Sequence, residues 1–98
     1  MPEFRDVDPR ELRLPPSRQQ GADPAKLQRQ IALYGRATTG MPPLIVYESS
    51  DGELVVYNGV TRATRAAKLA PGTLIRVEIA GRLNRAFAYQ PKIGDVLP

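Results

Sequence analysis

The chain has no cysteine and no histidine. Without cysteine there are no disulfide staples, no thiolate metal sites and no cysteine nucleophile. Without histidine the commonest general base at neutral pH and the commonest metal ligand are missing, so any chemistry falls to carboxylates, hydroxyls, backbone amides and arginine. No apolar run approaches the roughly 18 residues of a membrane span, and the opening "MPEFRDVDPREL" lacks the apolar segment of a signal peptide. These absences lead to the expectation of a cytoplasmic protein with no membrane partner, with delivery out of the cell as an effector left open.

What is present is ordinary for a small globular domain. Ninety-eight residues, 42% hydrophobic and 24% charged, suffice for one modest core and not for two. Ten prolines and eight glycines imply short elements and many turns. Fourteen basic residues, eleven of them arginine, stand against ten acids for a net charge of +4. That balance favours anionic partners, nucleic acid among them. Arginine suits bidentate phosphate recognition, although a bias in genome base composition produces the same letters.

The chain divides into an arm (residues 1–22), a core (23–80) and a tail (81–98). In the arm only "ELRL" (Glu11 to Leu14) alternates as a short edge strand does. Asp23, Pro24 and Gly35 stand where an N-cap, a first helical residue and a C-cap belong, and Leu27, Ile31 and Tyr34 make one apolar stripe between them. Lys26, Gln28 and Arg29 point away from it. After the connector "GRATTGMPP", the runs "LIVYE" (Leu44 to Glu48) and "ELVVY" (Glu53 to Tyr57) flank "SSDG" as a β-hairpin. Neither run alternates, which predicts that the sheet these runs build is covered on both faces, at least locally.

Thr61 to Leu69 then reads as a second helix, ended by "APG", with a stripe of small residues at Ala63, Ala66, Ala67 and Ala70. "TLIRVEIA" (Thr73 to Ala80) alternates as a strand with one wet face, and a further strand is expected around Ala86 to Tyr89. The fold expected is α+β (α/β), a small mixed β-sheet with two main helices.

One stretch carries the functional signal. In "VVYNGVTRATRAAKL" a strand runs through Asn58 and Gly59 into a helix that opens with Thr61, Arg62 and, one turn later, Arg65. A turn glycine at such a junction lets backbone amides converge, and the helix dipole adds about half a positive charge there. A hydroxyl and two guanidinium groups complete a set of donors suited to phosphate. A solvated basic helix face would be written in the same letters, and both readings stay open.

The order of elements resembles the N-terminal domain of the ParB and sulfiredoxin superfamily over residues 6 to 80. In that family an arm with a "P-x-Q-P-R"-like motif precedes a helix, a glycine-ended turn, a "PIVV" strand, a "DGxYxLI" hairpin and a Gly-x-[His/Arg]-Arg motif, whose helix often ends in "AAKLAG". The corresponding segments here are "DPAKLQRQIALYGRATTGMPPLIVYESSDGELVVYNG" and "YNGVTRATRAAKLAPGTLIRVEI". The family's turn binds nucleotide phosphates: those of CTP in the ParB branch, of ATP in sulfiredoxin, and of an adenine nucleotide in a free-serine kinase. The resemblance matches Gly59 to the motif glycine, Thr61 to the position before the motif arginine, Arg62 to that arginine, and Arg18 in "PPSRQQ" to the arm arginine. Sulfiredoxins carry cysteine after the glycine. Val60 stands there here, which excludes sulfinic acid repair.

The residues expected to hold a nucleotide or other phosphate ligand are therefore Asn58, Gly59, Thr61, Arg62, Arg65 and Arg18, with Mg²⁺ accompanying a nucleotide and no catalytic residue assigned. Weak hydrolysis or phosphoryl transfer would fit such a site. Two other readings stand beside it: a DNA-directed nuclease or small toxin-like effector with nucleic acid as partner, and a protein-interaction module without a ligand. Elsewhere, Asp51 and Glu53 read as solvated turn acids rather than a metal pair. Glu48 and Glu78 are expected to meet Arg76 across neighbouring strands. Arg82, Arg85, Phe87 and Tyr89 interleave cations with aromatics, either as a single-strand nucleic-acid binder or as an edge strand.

Overall fold

In the computed structural model, which describes residues 2–98, the elements run β1 (Glu3–Val7), α1 (Pro24–Tyr34), β2 (Leu44–Glu48), β3 (Leu54–Asn58), α2 (Val60–Leu69) and β4 (Ile75–Arg82). Short 3₁₀ turns cover Pro9–Glu11, Pro16–Arg18 and Ile93–Val96. The four strands form one mixed sheet in the order β1-β4-β2-β3. β2 and β4 are parallel, and the two outer pairs are antiparallel. This is the small α+β architecture that the patterning predicts.

Local chemistry sets the helix bounds. The Asp23 carboxylate accepts the Ala25 and Lys26 amides at 2.8 and 3.3 Å, Pro24 opens α1, and Gly35 closes it at a φ of 54°. Leu27 is buried, Ile31 half-buried and Tyr34 exposed, because α1 packs on α2 rather than on the sheet. α2 lies directly over the strands. Its Ala63, Ala66 and Ala67 are buried with Leu44, Val46, Val56, Val77 and Ile79 in one apolar cluster. Small side chains on the buried side of α2 let its backbone come close to the 3₁₀ turns Pro9–Glu11 and Ile93–Val96.

The arm departs from expectation. Its edge strand is Glu3–Val7, each residue of which pairs with β4, and Glu11 ends a 3₁₀ turn capped by Asp8. "ELRL" makes only isolated bridges at Arg13, to Lys92 and to Val55; on the Val55 side its N–H donates to the Leu54 carbonyl (2.8 Å) and its carbonyl accepts the Val56 amide (3.0 Å). The alternation there is still expressed: Leu12 and Leu14 are buried, and Arg13 turns out to meet Glu53 at 2.6 Å.

Coverage of both faces is local and does not extend across the sheet: Val55 and Val56, which point to opposite faces of β3, are both buried. Phe4 and Tyr57 are 46% and 70% exposed, since α2 occupies one face and α1 stacks on α2 instead of on the other. Nor is there a strand at 86–89. The Phe87 and Ala88 amides donate to the Asp51 carboxylate at 3.1 and 2.8 Å, so a side chain takes the bonds that a neighbouring strand would have taken. Phe87 is buried and stacks on Tyr89, and Arg85 lies over its ring. Register redirects the acids: Arg82 donates to Glu48 (2.9 Å) and Glu3 (3.1 Å), while Arg76 faces Asp6. No group of three metal-ligating side chains occurs among the described residues. Among the described residues no helix is long and apolar enough to cross a membrane.

Asp51 anchors the tail, and its carboxyl is held at about 2 instead of 3.8, chiefly by the Ser49 hydroxyl against desolvation, with the Ala88 and Phe87 amides helping. A depressed pKa gives stability that is present above the unfolded value and is lost as the pH falls through the folded one. Thermal unfolding followed from about pH 5 to about pH 1.5 should show a falling Tm across this window, and a smaller fall in Asp51→Asn, which carries no charge to lose. Parallel curves would remove Asp51 from the acid response.

Candidate functional site

β3 ends at Asn58 and α2 begins at Val60, leaving Gly59 to turn the chain. Its φ of 112° and ψ of 22° lie where side chains are rarely tolerated. Space forbids one as well: a Cβ would stand 2.7 Å from the Leu44 Cγ and 3.0 Å from an Arg62 terminal nitrogen. The glycine is therefore required twice, by conformation and by contact. The α2 N-terminus has no side-chain cap, so the dipole end of a ten-residue helix opens outward beside Gly59.

Five of the six expected residues converge. Arg18, Asn58, Gly59, Thr61 and Arg62 line one cleft of about 620 Å³, between the arm, α1 and the start of α2. Arg18 comes from the 3₁₀ turn at Pro16–Arg18, some forty residues from the others in sequence. Two further cations, Lys26 and Arg29, line the same cleft from α1. No aspartate or glutamate is among its described lining residues. The apolar stripe of α1 predicts a solvent face for Lys26 and Arg29, and the arm returns beside that face to make it one wall of the cleft. Their signal was the stripe Lys26, Arg29, Gln30 and Leu33, spaced i, i+3, i+4 and i+7, but spacing alone does not say what a stripe faces.

Arg62 is half-buried, and a terminal nitrogen donates to the Pro42 carbonyl at 2.8 Å. Burial pushes its pKa below the ordinary guanidinium value. The cause is desolvation, a cost that a bound anion would offset.

Arg65 does not join this cleft. It is 2% exposed and reaches under the α1–β2 connector, where Nη1 donates to the carbonyls of Gly35 (2.9 Å) and Ala37 (2.7 Å). Three positions leave Arg62 and Arg65 only about 60° apart around α2, so the difference comes from the α1–β2 connector, whose Gly35 and Ala37 carbonyls hold Arg65 beneath it while Arg62 stands at the cleft. Val60, the residue beside the glycine, is buried in the apolar core. It brings no reactive group to the cleft.

Fold and cleft together define a small α+β protein with a cation-lined hollow at a strand-to-helix junction. The chain matches no family model, no curated protein and no solved structure.

Replacing Gly59 by alanine should destabilise the protein by about 2–4 kcal/mol, from backbone strain and overpacking against Leu44. Chemical denaturation measures this. A loss below about 0.5 kcal/mol, the range of an ordinary surface change, would mean that the turn relaxes freely.

Proposed function

We propose that the protein binds a nucleotide or a similar phosphate-bearing ligand in the cleft at Gly59, in the manner that its ParB- and sulfiredoxin-like sequence pattern suggests. The observation that carries this reading is the meeting of Arg18, Lys26, Arg29 and Arg62 around an uncapped helix N-terminus with no acid among the described lining residues. Charge-assisted bonds from arginine and converging amides are the donors that a phosphate needs. The cleft offers cations rather than carboxylates, so Mg²⁺ would arrive on the phosphates of the ligand. With Val60 turned into the core, the site is proposed to bind and not to turn over rapidly.

A solvated basic face, a nucleic-acid backbone site and a ligand-free interaction module each predict something different. Arg62→Ala should weaken binding of a nucleoside triphosphate about tenfold to hundredfold, the worth of one or two charge-assisted hydrogen bonds. Lys68, exposed in the last turn of α2, lies beyond reach of the dipole end, and Lys68→Ala should change affinity less than about twofold. Calorimetric titration of both variants, with thermal unfolding as the control for folding, checks this. Equal small losses would reduce the arginines to solubilising charges. Affinity that collapses between about 50 and 200 mM salt, and grows with strand length, would point to nucleic-acid backbone instead.

A further inference from the structure

A second cleft of about 440 Å³ adjoins the first, and Arg62 and Gln30 line both. Its character is different. Tyr34, Ala37, Met41 and Pro42 supply apolar wall, and Arg65 adds a second charge beside Arg62. The guanidinium of Arg65 is buried without an acid: Nη1 is spent on two connector carbonyls, Nη2 reaches only the Met41 thioether at 3.5 Å, and Nε has no partner at all. A buried donor left unpaired costs free energy, and a buried charge without compensation costs more.

Nε and Nη2 form one edge of the guanidinium, the edge that grips two adjacent acceptors. Here it is held by a weak acceptor on a flexible side chain. The Tyr34 ring, 5.4 Å from the guanidinium carbon and 54% exposed, offers a surface on which a planar ring can stack. Apolar walls, a half-exposed aromatic and one unsatisfied bidentate donor are what a planar heterocycle with paired acceptors requires.

Resting on the phosphate reading above, we propose that the second cleft takes the base of the nucleotide and that Arg65 selects guanine, through O6 and N7, over adenine. The base displaces the Met41 thioether from the Nε–Nη2 edge and lies along Tyr34, while Arg62, shared by both clefts, holds the phosphates. Guanine presents two neighbouring acceptors to such an edge. Adenine presents N7 beside an amino donor, which opposes the guanidinium N–H.

Calorimetric titration of the intact protein with inorganic tripolyphosphate, GTP, ATP, inosine triphosphate and 7-deaza-GTP tests this without altering a buried residue. GTP and inosine triphosphate, which share O6 and N7, should bind at least about tenfold tighter than ATP, as one bidentate contact implies. 7-Deaza-GTP, lacking the N7 acceptor, should fall to the ATP level. Tyr34→Ala, an exposed change, should cut the advantage of GTP over tripolyphosphate and leave tripolyphosphate binding unchanged. If tripolyphosphate binds as tightly as GTP, the phosphate site stands and the base site is overturned. ATP matching GTP, or 7-deaza-GTP matching GTP, removes Arg65 as the reader and overturns it equally. Failure of every ligand, tripolyphosphate included, would sink the phosphate reading and this proposal with it.

Discussion

The contact between Gly59 and Leu44 is the constraint on which the remaining geometry depends. Leu44 is fully buried at the start of β2, and the backbone of the strand-to-helix turn lies against its side chain with no room for a Cβ. That approach fixes where α2 begins. From there the stripe of Ala63, Ala66 and Ala67 falls into the apolar core. The same placement aims the uncapped first turn outward and puts Thr61 and Arg62 at the rim of the cleft. Core packing and the candidate site are consequences of one turn.

A second theme is positive charge held by carbonyls. Arg62 and Arg65 both reach the α1–β2 connector, Arg62 at Pro42 and Arg65 at Gly35 and Ala37. The connector has no regular hydrogen-bond ladder, so two guanidiniums from α2 take up its carbonyls and tie it down. Carbonyl dipoles solvate a cation only in part, and neither cleft has an acid in its described lining to complete the balance. The acids are elsewhere: Glu3 and Glu48 meet Arg82 at the sheet edge, and Glu53 meets Arg13. A surplus of cations around two adjoining hollows is the electrostatic reason to expect an anionic ligand at this end of the molecule.

Much of this was legible in the letters. Asp23, Pro24 and Gly35 marked α1 because capping is local, and the strand "LIVYE" was legible because an unbroken apolar run bounded by turn residues has few alternatives. Gly59 was legible as a turn. The errors share a cause. "ELRL" alternates, yet Arg13 finds only isolated bridges to Val55 and Lys92, and Ala86 to Tyr89 has strand-forming character but gives the Phe87 and Ala88 amides to Asp51, 36 and 37 residues earlier. Arg76 was matched with the wrong acid because register, which sets Asp6 opposite it, depends on how β1 and β4 align. Each of these outcomes was decided by a partner distant in sequence.

The sequence by itself determined the small α+β class, the bounds of α1 and the C-terminal end of α2, the hairpin and the turn at Gly59, because caps, periodicity and turn conformation act within a few residues. Only the tertiary structure decided that Arg18, Lys26 and Arg29 face Arg62 across one cleft, and that Arg65, three residues on, is buried under the connector. Helical spacing keeps those two arginines on neighbouring faces of α2. What each then meets is set by the packing of α1 on α2 and by the return of the arm, long-range contacts that no short stretch of letters encodes.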